Sequence, residues 1–378
     1  MNLTYILFND INKDGRAREL IKFLSKETNL TLITICSNPL EIKNEINLIS
    51  SQSKNTFYNL FFFWYNIFKQ IKQTDIFYID NRKAVFICFF IYPFIKKKIL
   101  VQDMREFYTL KDKRSYYSNI GTLIEGFFAK NVNFLITANN PRARLTKKMY
   151  NLKRQPLVYE NRRSFPEVTR NNKKIIKSKY FDLLSNSYIS INNSKINLIS
   201  TSGFTSERGC IEVVKGALLN VKNVNLYLIG KTSKKDLNYL KSFLLENQIS
   251  NNIFLLDSIT LSELKELLKI MDVGIVNYST KNRNNIYCAS GKVYEFLSLN
   301  IPVLTTENYS LKDFINNNNF GISNNDFKKS INTMTEKISF YKQKTSSFSS
   351  IDQIYNYNKN FVKSLIFKIE NSRNEKKY

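Results

Sequence analysis

The residues best suited to chemistry lie in one segment of the second half, residues 284–304, which read NNIYCASGKVYEFLSLNIPVL. A polar loop ends there at Ser290 and Gly291, and the apolar spacing that follows predicts a helix beginning near Lys292. The first amides of a helix have no partner within it and, with the helix dipole, form a phosphate site, to which Gly291 allows close approach. Glu295 lies one turn beyond Lys292, where a carboxylate can accept hydrogen bonds from vicinal ribose hydroxyls. A solvated Lys–Glu pair in an ordinary loop is the alternative.

Composition narrows the possible chemistry. The chain has 378 residues and no histidine, which excludes Ser–His and Cys–His catalysis, a histidine base and histidine-ligated metals. Carboxylates, Lys, Arg, hydroxyls and backbone dipoles remain. The formal charge of +26 favours an anionic partner: nucleic acid, an acidic membrane surface or a phosphorylated substrate. The alternative is excess charge on solvated faces without a function.

Both halves alternate short apolar strands with helical stretches, which predicts two doubly wound α/β domains with largely parallel sheets. Ligands of such sheets bind at the carboxyl ends of the strands, so a cleft between the domains is the expected site. The first half predicts strands at 3–8, 31–36, 75–79, 98–102, 134–137 and 157–159, and helices at 16–26, 84–95, 122–130 and 141–150. The second predicts strands at 195–201, 225–229, 253–256, 273–276 and 302–305, and helices at 210–220, 236–246, 261–269 and 292–299. We predict an N-terminal domain at 1–170, a polar linker at 171–194, a C-terminal domain at 195–345 and a helical tail at 346–378 that packs back on the N-terminal domain.

Two apolar runs, 57–71 and 84–95, are shorter than the roughly 20 residues of a spanning helix, so neither is expected to cross a bilayer. The first eight residues lack the basic flank of a signal peptide. For the aromatic stretch 57–68 we expect a buried core helix, with a seat on an anionic membrane as the alternative.

The segment around Lys292 resembles the donor-binding motif of family 4 glycosyltransferases, a Pro/Ser-rich loop followed by xKxxEYxxxGxPV. Here the motif comprises Ser290, Gly291, Lys292, Glu295, Phe296, Asn300 and Pro302. The family often carries a glutamate eight residues before the one matched by Glu295, and Tyr287 stands at that place. The resemblance implies a GT-B fold, two Rossmann-like domains facing a central cleft, and covers about residues 1–340.

A second segment, 198–209, reads LISTSGFTSERG and looks like the family's strand–Gly–loop–basic–Gly signature. The resemblance places Gly203 beside the donor and Arg208 at the diphosphate, which a guanidinium binds through two hydrogen bonds. Gly230 ends the next predicted strand. Where relatives often carry another basic residue, this chain has Phe204.

The resemblance also assigns a loop beside the nucleotide base and a loop at the first domain. Asp257 and Ile259 follow the FLL strand as base contacts, with a plain turn as the alternative. Gly15 opens the first predicted helix and could offer amides to a phosphate or an acceptor, with a capping turn as the alternative. Asp103 and Glu106, in VQDMREFY, are the candidates to orient or deprotonate an acceptor hydroxyl, with a surface ion pair as the alternative.

Together these features predict a glycosyltransferase of the hexosyltransferase type that uses a nucleoside-diphosphate sugar, with UDP favoured over GDP on family frequency. The resemblance implies a retaining, metal-independent enzyme without a cofactor, in which Arg208 and Lys292 meet the diphosphate charge. The expected acceptor is a glycan or lipid-linked chain of bacterial capsule or lipopolysaccharide, and the expected location is the cytoplasm, peripheral to the inner face of the plasma membrane. The alternatives are a non-catalytic GT-B scaffold subunit, a nucleotide-sugar 2-epimerase and a nucleic-acid-binding protein.

Overall fold

The structure, a computed structural model, describes residues 1–37, 46–110, 112, 116–163, 180–191, 194–247, 252–348 and 351–375. It divides into two compact units. Unit 1 comprises Met1–Arg163 and Ile354–Tyr378, and unit 2 comprises Ser164–Gln353.

The described residues of unit 1 form a seven-stranded parallel sheet, in the order β3-β2-β1-β4-β5-β6-β7. β1 is buried continuously from Leu3 to Phe8, as expected for a parallel strand covered on both faces. The strands are β1 Asn2–Asp10, β2 Asn29–Ile35, β3 Asn47–Ser51, β4 Ile76–Asp80, β5 Ile99–Met104, β6 Phe134–Thr137 and β7 Leu157–Val158. The helices are α1 Gly15–Glu27, α2 Thr56–Gln70, α3 Asn81–Ile95, α4 Tyr116–Asn131 and α5 Asn140–Tyr150.

The described residues of unit 2 form an eight-stranded sheet, in the order β15-β14-β13-β10-β11-β12-β8-β9. β8 pairs antiparallel with β12 and with β9, and the other pairs are parallel. The strands are β8 Tyr180–Asp182, β9 Ser187–Ile189, β10 Ile196–Ser200, β11 Val224–Ile229, β12 Ile253–Leu256, β13 Val273–Val276, β14 Val303–Thr305 and β15 Gly321–Ser323. The helices are α6 Cys210–Leu218, α7 Lys234–Glu246, α8 Leu261–Leu268, α9 Arg283–Ile286, α10 Gly291–Ser298, α11 Tyr309–Asn318, α12 Phe327–Glu336 and α13 Ile338–Ser346.

The last helix, α14 Ile351–Glu375, packs into the core of unit 1. Its Val362, Leu365 and Ile369 join Leu20 and Leu24 of α1 on one face of the first sheet. The other face of that sheet is covered by apolar residues of α2, α3 and α4. The two layers therefore lie on opposite sides of the same strands.

The prediction of two doubly wound α/β domains is confirmed, with small differences at the ends of most elements. The helix expected at 57–68 is present as α2. The structure adds elements that the sequence analysis does not assign, namely β3, α9, α11, β15, α12 and α13. It also differs at 180–189, inside the predicted linker 171–194, because these residues form the edge hairpin β8–β9. Residues 171–179 of that linker lie outside the described residues. Among the helices that the structure describes, none is long and apolar enough to cross a membrane.

Candidate functional site

The second sheet changes its winding direction between β10 and β13. From β10 the chain proceeds to β11 and β12 on one side, and then returns to β13 and β14 on the other. In open α/β sheets the loops at such a switch point separate and leave a crevice at the carboxyl ends of the strands. The candidate site is therefore expected in the loops after β10 and β13.

α10 is seated on β13 by a close contact. A Cβ atom at Gly274 would lie 2.4 Å from the ring of Phe296, so the ring packs directly on the strand's backbone. A helix that connects parallel strands runs back along the sheet, so α10 begins at the carboxyl edge. Glycine at position 274 thus fixes where the first turn of α10 lies.

The first turn of α10 is not capped by a side chain. Ser290 is the N-cap residue, but its hydroxyl makes no capping hydrogen bond and instead lies 3.2 Å from the hydroxyl of Tyr278, in the loop after β13. Amides at a helix start that lack a side-chain cap favour an anionic ligand, because the dipole adds positive potential there. Gly291 is buried as the first residue of this helix.

Lys292 connects α10 to the other side of the switch point. Its Nζ donates to the carbonyl oxygen of Thr201 at 2.5 Å and to Oγ of Ser202 at 2.7 Å, both in the loop after β10. The ammonium therefore lies between the two loops that flank the expected crevice. An ammonium held in this position supplies positive charge where a diphosphate would lie.

Gly203 and Gly230 lie next to each other, and contacts within the protein explain why each position is glycine. Gly203 has φ +66° and Gly230 φ +133°. A Cβ on Gly203 would lie 2.7 Å from the carbonyl oxygen of Lys231, and one on Gly230 would lie 2.8 Å from the nitrogen of Gly203. The loops after β10 and β11 thus pack backbone to backbone, which explains both glycines without a ligand.

Arg208 and Gly209 stand at the start of α6. The Arg208 side chain is exposed, and its guanidinium has no hydrogen bond or ion pair with the described residues. Its carbonyl oxygen accepts from Nδ2 of Asn277, which follows β13, at 3.0 Å. Gly209, at φ +74°, is the N-cap of α6, and a Cβ there would meet open space. A second helix start without a side-chain cap therefore lies beside the switch point.

The other predicted donor residues surround this cluster less tightly. Glu295 is half-buried on α10, and Tyr287 is half-buried with its ring 5.7 Å from that of Tyr309. Asp257 is exposed and Ile259 half-buried after β12, two strands from β10. The contacts that define the cluster come from Lys292, Ser290 and the main chain of Arg208.

In unit 1 the structure contradicts the role expected for Asp103. The side chain is fully buried at the end of β5. Its two oxygens accept from Nη2 of Arg16 at 2.9 and 3.0 Å, and Tyr78 donates to it at 3.1 Å. Arg16 is itself 5% exposed and lies 4.5 Å from the centre of the Tyr159 ring. A carboxylate closed in this way is not placed to receive a proton from an acceptor. Glu106, two residues after β5, is exposed and remains the candidate.

Gly15 is the first residue of α1, whose first turn has a side-chain cap. The preceding Asp14 caps α1 by accepting from the amide of Ala17 at 3.1 Å. A Cβ on Gly15 would lie 3.2 Å from the guanidinium of Arg163. The structure therefore shows the capping turn that was the alternative, while a contact of the Gly15 amide with a phosphate stays a prediction.

Sequence reasoning missed a second buried ion cluster at the carboxyl edge of the first sheet. Arg105 donates to Asp14 at 2.6 Å and to both oxygens of Asp80, which also accepts from the hydroxyl of Tyr5. Burial raises the pKa of Asp80 to about 6, against the opposing effect of Arg105 and with that of Asp103. The pKa of Asp14 is lowered, because Arg105 and the capping hydrogen bond outweigh its burial. The signal in the sequence was an aspartate near the end of two apolar strands, Asp80 on β4 and Asp103 on β5.

Solved structures show what this architecture is similar to. The chain matches HepE from Anabaena in complex with UDP-glucose, with a TM-score of 0.66 and 12% identity over 97% of this chain and 99% of that one. It matches WaaG, a glycosyltransferase involved in lipopolysaccharide biosynthesis, with a TM-score of 0.60 and 12% identity over 95% and 98%. It also matches a proposed UDP-N-acetylglucosamine 2-epimerase from Listeria monocytogenes, with a TM-score of 0.59 and 12% identity over 100% and 97%.

No family model and no curated protein sequence matches the chain. At these identities the likeness concerns the fold, which transferases and an epimerase share. Two doubly wound units, with switch points between β1 and β4 and between β10 and β13, and full-length matches to structures of this class give the conclusion: the chain has the GT-B fold.

Proposed function

We propose that this protein is a glycosyltransferase that binds a nucleoside-diphosphate sugar at the switch point of unit 2. The observation that carries the proposal is the convergence of two helix starts without side-chain caps, those of α6 and α10, with the ammonium of Lys292 between their loops. Backbone amides and a cation placed together bind a diphosphate, whose charge is concentrated on non-bridging oxygens.

Arg208 supports the same proposal. Its guanidinium is exposed and has no partner among the residues that the structure describes, so its planar fork can bind two phosphate oxygens. Glu295, one turn into α10, would accept hydrogen bonds from the ribose, as the sequence motif implies. Asp257, Ile259 and Tyr287 would lie nearer the base and the sugar.

The proposed reaction needs no metal, because amides, Arg208 and Lys292 meet the charge of the diphosphate. The bond between the anomeric carbon and the phosphate oxygen breaks, and its electron pair stays with the diphosphate. The acceptor oxygen bonds to the same face of that carbon and passes its proton to the departing phosphate oxygen, which retains the configuration. Stabilisation of the leaving diphosphate by fixed dipoles and cations is then the main catalytic contribution.

The proposed donor is a UDP-sugar, a choice supported by the UDP-glucose bound to HepE. The proposed acceptor is a growing glycan or lipid-linked glycan of capsule or lipopolysaccharide, supported by the likeness to WaaG. Such an acceptor places the enzyme at the cytoplasmic face of the plasma membrane.

The 2-epimerase is the second candidate, since the Listeria protein shares the fold. Product analysis separates them, because an epimerase needs no acceptor and leaves the sugar on the nucleotide.

The first test is thermal stabilisation by UDP, GDP, CMP and ADP, each with and without Mg²⁺. Selective binding raises the melting temperature through mass action, and we expect a shift with UDP that does not depend on Mg²⁺. In Arg208→Ala the dissociation constant is expected to rise about 10- to 100-fold, as charge-assisted hydrogen bonds are lost.

Lys222→Ala is the matched control, since Lys222 is an exposed cation just before β11, at the amino edge of the same sheet. Its affinity is expected to equal that of the unaltered protein. No shift with any nucleotide, or equal losses in both variants, would contradict the proposed site.

A further inference from the structure

Helix α2 exposes an apolar face, where a helix in contact with water normally carries polar side chains. One stripe, formed by Asn59, Phe63 and Ile67, is buried. On the opposite side Phe57 is 76% exposed, Phe61 66% and Tyr65 62%. Residues four apart share a face of a helix, so these rings form one outward stripe. The expectation of a buried core helix thus holds only for the inner stripe.

Helix α3 extends this stripe into a continuous surface. Phe90 and Phe94 are more than half exposed and also lie four residues apart. Phe90 lies 5.6 Å from Trp64, and Phe94 lies 5.2 Å from Phe68, measured between ring centres. We call Phe57, Phe61, Tyr65 and Phe68 of α2 with Phe90 and Phe94 of α3 the aromatic face. Scattered exposed apolar residues are ordinary, but a contiguous patch of this kind marks an interaction surface.

The exposed charged residues of the segment that carries the aromatic face, 54–98, have one sign. α2 and α3 contain no acidic residue. The acidic residues of the segment 54–98 are Asp75 and Asp80, which lie between the two helices in sequence. Asp75 binds Arg373 and Asp80 is buried against Arg105, so neither lies free beside the patch. The exposed cations of this segment are Lys54, Lys69, Lys72, Lys83, Lys96 and Lys97.

We propose that the aromatic face docks on the surface of an anionic lipid bilayer. Aromatic side chains are favoured at the depth of the headgroups, while lysines beside them attract anionic lipids. α2 has 15 residues, too few to span the hydrocarbon core, so the helix lies in the plane of the surface.

A second copy of the chain is the less favoured occupant. A symmetric dimer through this face would bring the lysines of both copies together without a compensating acid in α2 or α3. The proposal locates the membrane contact expected of the proposed transferase, but it rests on the surface alone and requires no transfer activity.

The test is flotation of the full-length protein with vesicles of phosphatidylcholine alone and with phosphatidylglycerol added. We expect the protein to float with the anionic vesicles and to remain behind with the neutral ones. In Phe61→Ser/Phe94→Ser the bound fraction is expected to fall at least about tenfold, from the apolar area no longer inserted. Lys96→Glu/Lys97→Glu is expected to weaken partitioning about 25-fold or more, since each lysine near an anionic surface contributes roughly fivefold.

α14 supplies matched controls on the opposite face of the same sheet. Phe367 is 63% exposed there, and Lys363 and Lys368 are exposed, so Phe367→Ser and Lys363→Glu/Lys368→Glu change the same residue types. Both controls are expected to float like the unaltered protein. Equal losses in control and test variants, or no flotation together with a dimer that Phe61→Ser/Phe94→Ser dissolves in light scattering, would overturn the proposal. Nucleotide stabilisation, measured without vesicles, reports on the transferase proposal separately.

Discussion

The carboxyl edges of the two sheets differ in whether their polar and charged groups find partners within the protein. In unit 1 the charged side chains turn toward one another, so that Arg16 with Asp103, and Arg105 with Asp14 and Asp80, close the edge. In unit 2 the loops leave the starts of α6 and α10 without side-chain caps, and Arg208 points into solvent. The same doubly wound architecture thus supports an edge closed by its own ion pairs and an edge with two helix starts that no side chain caps. Position at a switch point is therefore not sufficient evidence for a binding residue.

Burial decides how the charges of unit 1 should be interpreted. Two charges removed from water lose hydration that their attraction only roughly compensates, so an intact buried pair adds little net stability. Removal of one partner, however, leaves the other charge buried without compensation. The cluster therefore acts chiefly in specifying how α1 sits on the ends of β4 and β5.

The largest expected effect follows from breaking that pair. Asp103→Ala leaves Arg16 buried without its carboxylate and is expected to lower the free energy of unfolding by about 3–5 kcal/mol. Trp64, the single tryptophan, lies on α2, so its fluorescence in a urea titration reports on unit 1. Lys13→Ala, which breaks the exposed pair with Asp10 in the same unit, serves as the control and is expected to cost less than about 1 kcal/mol. A stable Asp103→Ala protein that has lost only transfer activity would return Asp103 to the acceptor role.

The glycines of unit 2 give the next largest contrast. Gly203→Ala forces a Cβ against the carbonyl of Lys231 at a positive φ and is expected to cost about 2–4 kcal/mol. Gly209→Ala keeps a positive φ but meets open space, so its cost should be about 1 kcal/mol. Differential scanning calorimetry of the two variants measures the difference. Equal costs would mean that the loops after β10 and β11 can separate, and would weaken the account of a fixed edge.

Much of the fold follows from the sequence, because strand and helix periodicities are local. The predicted strands of both sheets were found where the apolar runs indicated, and the prediction of a helix near Lys292 is confirmed by α10. The edge hairpin β8–β9 was missed, since a two-strand edge pairs through the backbone and needs no apolar run. Helix α2 was assigned to the core because aromatic residues on both faces give no sequence signal of which face is covered.

The candidate site was predicted unevenly for a related reason. Motif spacing located Arg208, Ser290 and Lys292, which the structure joins through the loops after β10 and β13. Spacing cannot show whether a charged residue finds a partner far along the chain. Asp103 lies 87 residues from Arg16, so its pairing, and the capping of α1 by a residue bound to Arg105, became visible only in three dimensions.

The smallest effect concerns pH, and it distinguishes the two carboxylates that bind Arg105. The pKa of Asp80 is raised to about 6 by burial, above its value in the unfolded chain. Its contribution is therefore fully present below pH 4 and is lost as pH rises through 6. The unfolding free energy of the protein relative to Asp80→Asn should accordingly fall, on the order of 2 kcal/mol, between pH 4 and pH 7.

For Asp14, whose pKa is lowered, the sign is reversed. The free energy relative to Asp14→Asn should be constant at neutral pH and should fall as the solution is acidified below pH 4. Urea titrations followed by Trp64 fluorescence at each pH measure both differences. Two curves that slope in the same direction would contradict the opposite pKa shifts of these aspartates, and with them the account of Arg105 as their shared buried partner.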